Sequence, residues 1–302
     1  MAALVANRGT GVLSRDIGDY PEGIIIPVDK PYRWTSADVV RKLKFAAKKH
    51  FGQKNLKVGH AGTLDPLATG VLIICVGKAT RLAEEIQRSD KEYVAGVTFG
   101  ATTPSYDLEK PIDRFYPLDG VCEASVAEAL KGFVGEQEQI APLFSAKSVD
   151  GVRAYELARK MYRQGSLEAL DSEAEALLSR QIIRIEEVEL LKFEESDLTG
   201  ASTLQGTPMP DHKLGASSRI NVTDNSALGL PRAEVRIACS KGTYVRAFAR
   251  DLGEALGTGA HLDSLCRTAC GGCRASEALS LEQAAALFAP LQSATIDNQA
   301  LK

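Results

Sequence analysis

The sequence predicts an α+β fold with a mixed, largely antiparallel central sheet flanked by helices. Two observations carry this. Strand-like and helix-like stretches alternate irregularly, without the steady strand–helix–strand spacing of a doubly wound parallel sheet. Several strand patterns also follow one another as antiparallel neighbours would. The chain has 302 residues, is 44% apolar and one quarter charged. That is ordinary globular composition, with length for a large core or two modest domains. No internal repeat is visible.

Each element has its own justification. Gly23–Val28 is a short β-branched run and reads as a strand. "TSADVVRKLKFAAKKHFG" reads as an amphipathic helix. Thr35 and Asp38 form a capping-box pattern at its start, Val40, Leu43 and Ala47 supply an apolar face, and Gly52 suits the stop. Asp65-Pro66 breaks the chain, and Val71–Val76 is a continuous apolar strand expected to be buried on both faces. Thr80–Gln87 reads as a short helix. "KEYVAGVTFG" alternates as a strand, with Tyr93, Ala95, Val97 and Phe99 on one side. Helices are predicted at Ala124–Val134 and Tyr155–Tyr162, and strands at Ile182–Phe193 and Ala233–Cys239. "KGTYVRAFARDLGEALG" is a turn entering a helix that stops at Gly257, and Leu281–Phe288 is a last helix capped by Ser280. Ser196–Pro231 is rich in Gly, Ser, Thr, Pro, Asn and Asp, and its length points to a mobile insertion. Residues 1–20 read as an N-terminal extension, and 276–302 as a short helical tail.

Charge and composition exclude several classes. No apolar run approaches the ~20 residues of a membrane span, and the N-terminus has neither signal nor transit character. A cytoplasmic protein is expected. The net charge of −3 argues against a uniformly basic coat. Yet Val39–Leu64 contains no acid and carries Arg41, Lys42, Lys44, Lys48, Lys49, Lys54 and Lys57. Arg153, Arg159, Lys160 and Arg163 form a second basic cluster. These read either as solvated helix faces or as a two-part surface for phosphates.

The six cysteines offer one motif. Cys266, Cys270 and Cys273 have the C-x3-C-x2-C spacing of a radical SAM cluster site. Fewer than thirty residues follow it, which is the wrong context, and ordinary reduced thiols are the simpler reading. His60, His50 and His261 lack metal-ligand spacing, and neither a phosphate loop nor a dinucleotide fingerprint occurs.

The strongest chemical candidate is Asp65. It follows "GHAGTL" and precedes a buried strand, so its turn has a rigid mount, and a carboxylate so held can act as nucleophile or base. Its plainer role is a local turn hydrogen bond. Arg246, in "SKGTYVRAF" at the mouth of a helix, is either a surface ion-pair residue or the cation that pairs with Asp65 across a cleft, with Tyr244 beside it.

At these residues the chain resembles a family. "GHAGTLDPLATGVL" is similar to the signature segment of the TruB family of bacterial tRNA pseudouridine synthases. Four further segments match in order: "VDKPYRWTSADVV", "DKEYVAGVTFGATTPSYDLE", "PLFSAKSVDGVRAYELAR" and "CSKGTYVRAFARDLGEALGTGAHLDSLCRT". Together they span Gly23–Arg274. The resemblance implies the pseudouridine synthase fold over residues 21–275 and isomerisation of uridine 55 in the tRNA T-loop. Asp65 would be the catalytic nucleophile, Arg246 its ion-pair partner, and Tyr93 the platform for the target uracil. Tyr244 would line the pocket, Leu265 would touch the base, His60 would hold the RNA loop open, and Lys30 would support the site. It implies no metal and no cofactor; the tRNA T stem-loop is the partner, no membrane is involved, and a monomer is expected. Cys266 stands where relatives usually have Arg, and Ala141-Pro142 where they have Pro-Pro. Many relatives end in a PUA-type RNA-binding domain, for which too few residues follow Arg274. Two other classes stay open: a non-catalytic tRNA-binding or tRNA-folding protein on the same scaffold, and the radical SAM enzyme.

Overall fold

A computed structural model of the chain describes residues 2–145, 148–149, 152–163, 180–196, 207–208 and 220–288. Its frame is one ten-stranded mixed sheet. In chain order the strands are β1 (Leu4–Val5), β2 (Ile24–Lys30), β3 (Val58–His60), β4 (Thr69–Val76), β5 (Lys91–Phe99), β6 (Gly135–Gln139), β7 (Gln181–Glu194), β8 (Arg232–Cys239), β9 (Ala260–Cys270) and β10 (Cys273–Arg274). The spatial order is β1-β2-β4-β9-β5-β8-β7-β6, with β3 added to β4 and β10 to β9. Pairing is antiparallel except for β1 with β2 and β4 with β9. The mixed, mainly antiparallel sheet expected from the sequence is therefore present.

The helices are α1 (Ser36–Phe51), α2 (Ala83–Arg88), α3 (Glu123–Lys131), α4 (Ala154–Arg163), α5 (Val245–Ala255) and α6 (Leu281–Ala286). The α1 boundaries follow from its end chemistry. Thr35 Oγ1 accepts from the Asp38 amide at 3.0 Å, and the Asp38 carboxylate accepts from the Thr35 amide in return. Gly52 closes the helix in the left-handed region at φ 64°. The buried stripe is Val39, Leu43, Ala47 and Phe51, with Val40 only partly buried at its edge.

Three parts of the fold add to what the sequence shows. Within the N-terminal extension, β1 pairs with β2, Ala6 and Leu13 are buried, and the Leu13 amide donates to Leu287 O at 3.0 Å. Two strand residues give too short a pattern to read. Second, the irregular Ser196–Pro231 stretch is already packed from Ile220 onward. Ile220 and Val222 join Leu67 and Leu108 in a small apolar cluster, and Arg33 Nη2 donates to Ile220 O at 2.8 Å. Residues 197–206 and 209–219 of that stretch lie outside the described residues. Third, β9 was not anticipated, although it lies mid-sheet between β4 and β5. Its His261, Asp263, Ser264, Arg267 and Thr268 break the apolar alternation that marks a strand, because each finds a polar partner inside the fold.

Gly70 permits the parallel approach of β4 to β9. It has φ 93°, and a Cβ there would come within 2.2 Å of the Arg267 carbonyl oxygen. Gly52 has a similar φ but open space around it. Gly70→Ala is therefore expected to cost more than about 3 kcal/mol, and Gly52→Ala only about 1–2 kcal/mol of left-handed strain. Urea unfolding of the two variants checks this, and equal losses would contradict the close-approach argument.

Candidate active site

The loop Gly62–Pro66 joins β3 to β4 and is held at every residue. Arg267, only 1% exposed, extends from β9 beneath it. Its Nη2 donates to Gly62 O at 3.3 Å and its Nη1 to Thr63 O at 3.4 Å, while Nε donates to Val71 O at 2.8 Å. Ser36, the first residue of α1, accepts from the Leu64 amide at 2.9 Å and donates back to Leu64 O at 3.0 Å. Lys30 Nζ donates to Pro66 O at 3.1 Å and also to the carbonyls of Pro31 and Trp34 at 2.9 and 2.7 Å. Three acceptors match the three N–H groups of an ammonium. Burial lowers the Lys30 pKa to about 7, and the nearby Asp65 charge opposes that shift.

Asp65 is the remaining residue of the loop. Arg246 Nε donates to its Oδ2 at 2.9 Å and Nη2 to its Oδ1 at 3.2 Å. This is the bidentate fork that fixes a carboxylate in plane. Arg246 is 5% exposed, whereas the Asp65 side chain is 36% exposed. The cation is thus buried behind and the carboxylate faces out. Arg246 lies in the first turn of α5 and is itself held, donating to Ser105 O at 3.1 Å and Phe144 O at 3.0 Å. A second carboxylate, Asp107, approaches its Nε at 3.8 Å. Burial works against the Arg246 charge, but Asp65 and Asp107 more than offset it and hold the pKa above its ordinary value. Burial pushes Asp107 up to about 6, against the pull of Arg246.

In front of Asp65 lies a cleft of about 410 Å³ whose lining includes Asp65, Tyr93, Tyr244, Leu265, Arg267 and Lys91. Four of the residues expected from the sequence therefore meet at one cleft, with Arg246 directly behind. Tyr93 comes from β5, in register with Arg267 on β9. Burial pushes its pKa up to about 12, so it is a neutral phenol at physiological pH. Tyr244 is fixed at the start of α5 by two bonds from its backbone to the Gln139 side chain, at 2.8 and 3.2 Å.

Other expected residues fall elsewhere. Lys30 supports the loop from beneath and does not line the cleft. His60 is half-buried on β3, also outside the cleft lining, and burial together with Arg267 lowers its pKa. Arg267 and Asp107 were missed. Both sit in stretches that match the family, but neither has a local pattern that marks burial. The side chains of Arg153, Arg159 and Arg163 lie outside the described ones.

The cysteine motif is not a cluster site. Cys270 and Cys273 face each other across the β9–β10 turn, Cys270 is fully buried, and Cys266 lies on β9 beside Thr69. Burial raises the Cys266 and Cys273 pKa values, which disfavours the thiolate an iron would need. Among the described residues no three His, Cys, Asp or Glu side chains are placed to hold a metal ion. None of the described helices is long and apolar enough to cross a membrane.

Comparison with known proteins agrees with this geometry. Residues 48–206, just over half the chain, match the model of the TruB family pseudouridylate synthase N-terminal domain. A tRNA pseudouridine synthase B of Phocaeicola vulgatus is 44% identical over 264 residues, which is 87% of this chain and 92% of the relative. The chain belongs to the TruB family. A more distant TruB relative, the tRNA pseudouridine synthase B of Deinococcus radiodurans, is 39% identical over 85% of this chain and 77% of its own length. Solved structures share the fold at low identity. A Cbf5–Nop10–Gar1 complex matches with TM-score 0.51 and 23% identity over 89% of this chain and 57% of that chain. An archaeal box H/ACA Nop10–Cbf5 complex matches with TM-score 0.51 and 19% identity over 95% and 63%.

The clamp on the TruB loop is open to test. Arg267→Met removes the donor from three buried carbonyls, and the expected loss is about 2–4 kcal/mol. Chemical denaturation reads it. A variant as stable as the parent would show that Arg267 does not anchor the loop.

Proposed function

We propose that this chain converts uridine to pseudouridine in tRNA, at position 55 of the T-loop, with Asp65 as the nucleophile. The observation that carries the reading is the Asp65 carboxylate forked on buried Arg246 at the mouth of a cleft lined by Tyr93, Tyr244 and Leu265. The names of the relatives support it.

The reaction detaches uracil at the N1–C1′ bond, turns the base, and rejoins it to C1′ through C5. Every atom is kept, so no co-reactant is consumed. The target base must first leave its stack, at a cost of a few kcal/mol. The Tyr93 ring offsets part of that, since stacking on an aromatic contributes about 1–3 kcal/mol per base. Leu265 presents an apolar contact and helps exclude water while the base turns. Tyr244 lines the same cleft.

An anionic oxygen held beside the glycosidic bond serves each route open to the chemistry: attack at ribose C1′, attack at uracil C6, or removal of a ribose proton. All three need a carboxylate of fixed orientation. Arg246 and the pinned loop supply that orientation at no cost during the reaction.

Mass mapping of an unmodified tRNA transcript incubated with the purified protein tests the proposal. The expected product is pseudouridine at position 55. Asp65→Asn is expected to abolish it, with tRNA affinity changed less than about threefold. An undiminished yield from Asp65→Asn would sink the assignment of the nucleophile, and no product from the parent protein would sink the function.

A further inference from the structure

Helix α1 leaves one face unpartnered. Phe45 is 73% exposed, more than any other large apolar side chain among the described residues. Its helical neighbours at i±3 and i±4 are Arg41, Lys42, Lys48 and Lys49. Arg41 is tied to Asp38 at 2.7 Å and Lys42 to Glu282 at 3.6 Å. Lys44, Lys48, Lys49, Lys54 and Lys57 form no ion pair among the described residues. Along the same helix, an open groove of about 510 Å³ is lined by Lys44, Lys48, Lys54 and Lys57, together with Gly59 and Thr80. Lys44 and Lys48 are four residues apart on the helix, a like-charge spacing that weakens it. An exposed aromatic ring is unfavourable in water, and four close ammonium groups repel one another. A strand of nucleic acid relieves both, because it carries a base to cover the ring and phosphates to neutralise the lysines.

The position of this face connects it to the cleft. Ser36 at the start of α1 is bonded to Leu64, the residue before Asp65. Phe45 lies nine residues further along, roughly 14 Å at the helical rise. That axial length, measured from Ser36, matches about four stacked nucleotide steps, and at two and a half turns along the helix Phe45 projects from the side opposite Ser36. β3 follows Lys57 and runs through His60 toward the Asp65 loop.

We infer that the outer face of α1 and the adjoining lysine groove form a second RNA-binding surface. An unpaired base of the substrate stacks on Phe45 while the neighbouring phosphates lie over Lys44, Lys48, Lys54 and Lys57. The inference rests on the proposed function for the identity of the RNA. It adds a recognition site away from the reacting base, and none of its residues belongs to the cleft.

Fluorescence titration with unmodified tRNA over a salt series tests it, together with the single-turnover rate at saturating enzyme. Phe45→Ala is expected to weaken affinity about five- to a hundredfold, and Phe45→Tyr to retain it. The combined Lys44→Gln, Lys48→Gln, Lys54→Gln and Lys57→Gln variant is expected to lower the slope of log affinity against log salt by about three. The saturated rate should stay within about twofold for all of them, since the cleft is intact; thermal melts check that each variant is folded. Unchanged affinity and slope would overturn the inference, as would variants that lose anionic-vesicle binding but not tRNA binding. If the parent binds tRNA through this face yet forms no pseudouridine, the proposed function fails while the surface stands. If the parent forms product and the variants bind as it does, the surface fails alone. A parent that does not bind tRNA overturns both.

Discussion

Arg246 cannot be buried without partners, and the fold around the cleft is arranged to provide them. An unpaired guanidinium in the protein interior would be several kcal/mol too costly to keep. Four of its five N–H groups donate to Asp65 and to the carbonyls of Ser105 and Phe144, with Asp107 close by. Three separate chain segments are thereby drawn to one point. The same requirement sets the direction of Asp65: both of its oxygens face the fork, and its remaining lone pairs face the cleft. The orientation of the nucleophile is thus a by-product of satisfying a buried cation.

The loop that carries Asp65 depends on a second buried cation. Arg267 reaches the loop only because Gly70 lets β9 run close beside β4. Lys30 and Ser36 hold the rest. These contacts are made to backbone carbonyls and amides, so they fix the loop's path and leave its one reactive side chain free to be aimed by Arg246. Stability and function are coupled at this place because the same residues serve both.

Where local chemistry determines an element, the sequence shows it. Thr35, Asp38 and Gly52 mark both ends of α1, and the apolar run through β4 marks a strand buried on both faces. Where long-range partners determine it, the sequence is silent. β9 reads as a polar stretch because the partners of His261, Asp263 and Arg267 lie far away in the chain. The site follows the same division. Asp65, Arg246 and Tyr244 stand out from their local setting, whereas Tyr93 and Leu265 are legible only through the resemblance of five ordered segments. Arg267 was hidden beside Cys266, whose cysteine spacing drew attention to a metal chemistry that the buried thiols do not support. Asp107 was hidden in a turn, where nothing local distinguishes a buried carboxylate from an exposed one.

The central claim is that the Arg246 fork orients Asp65 for the chemical step and does not serve to bind RNA. The most direct measurement is the single-turnover rate of pseudouridine formation by Arg246→Lys at saturating enzyme, read beside its tRNA dissociation constant. A lysine keeps the charge but has no planar fork. The account predicts a rate at least about a hundredfold lower, with tRNA affinity within a few-fold of the parent. A rate close to the parent's, or a loss confined to affinity, would contradict it.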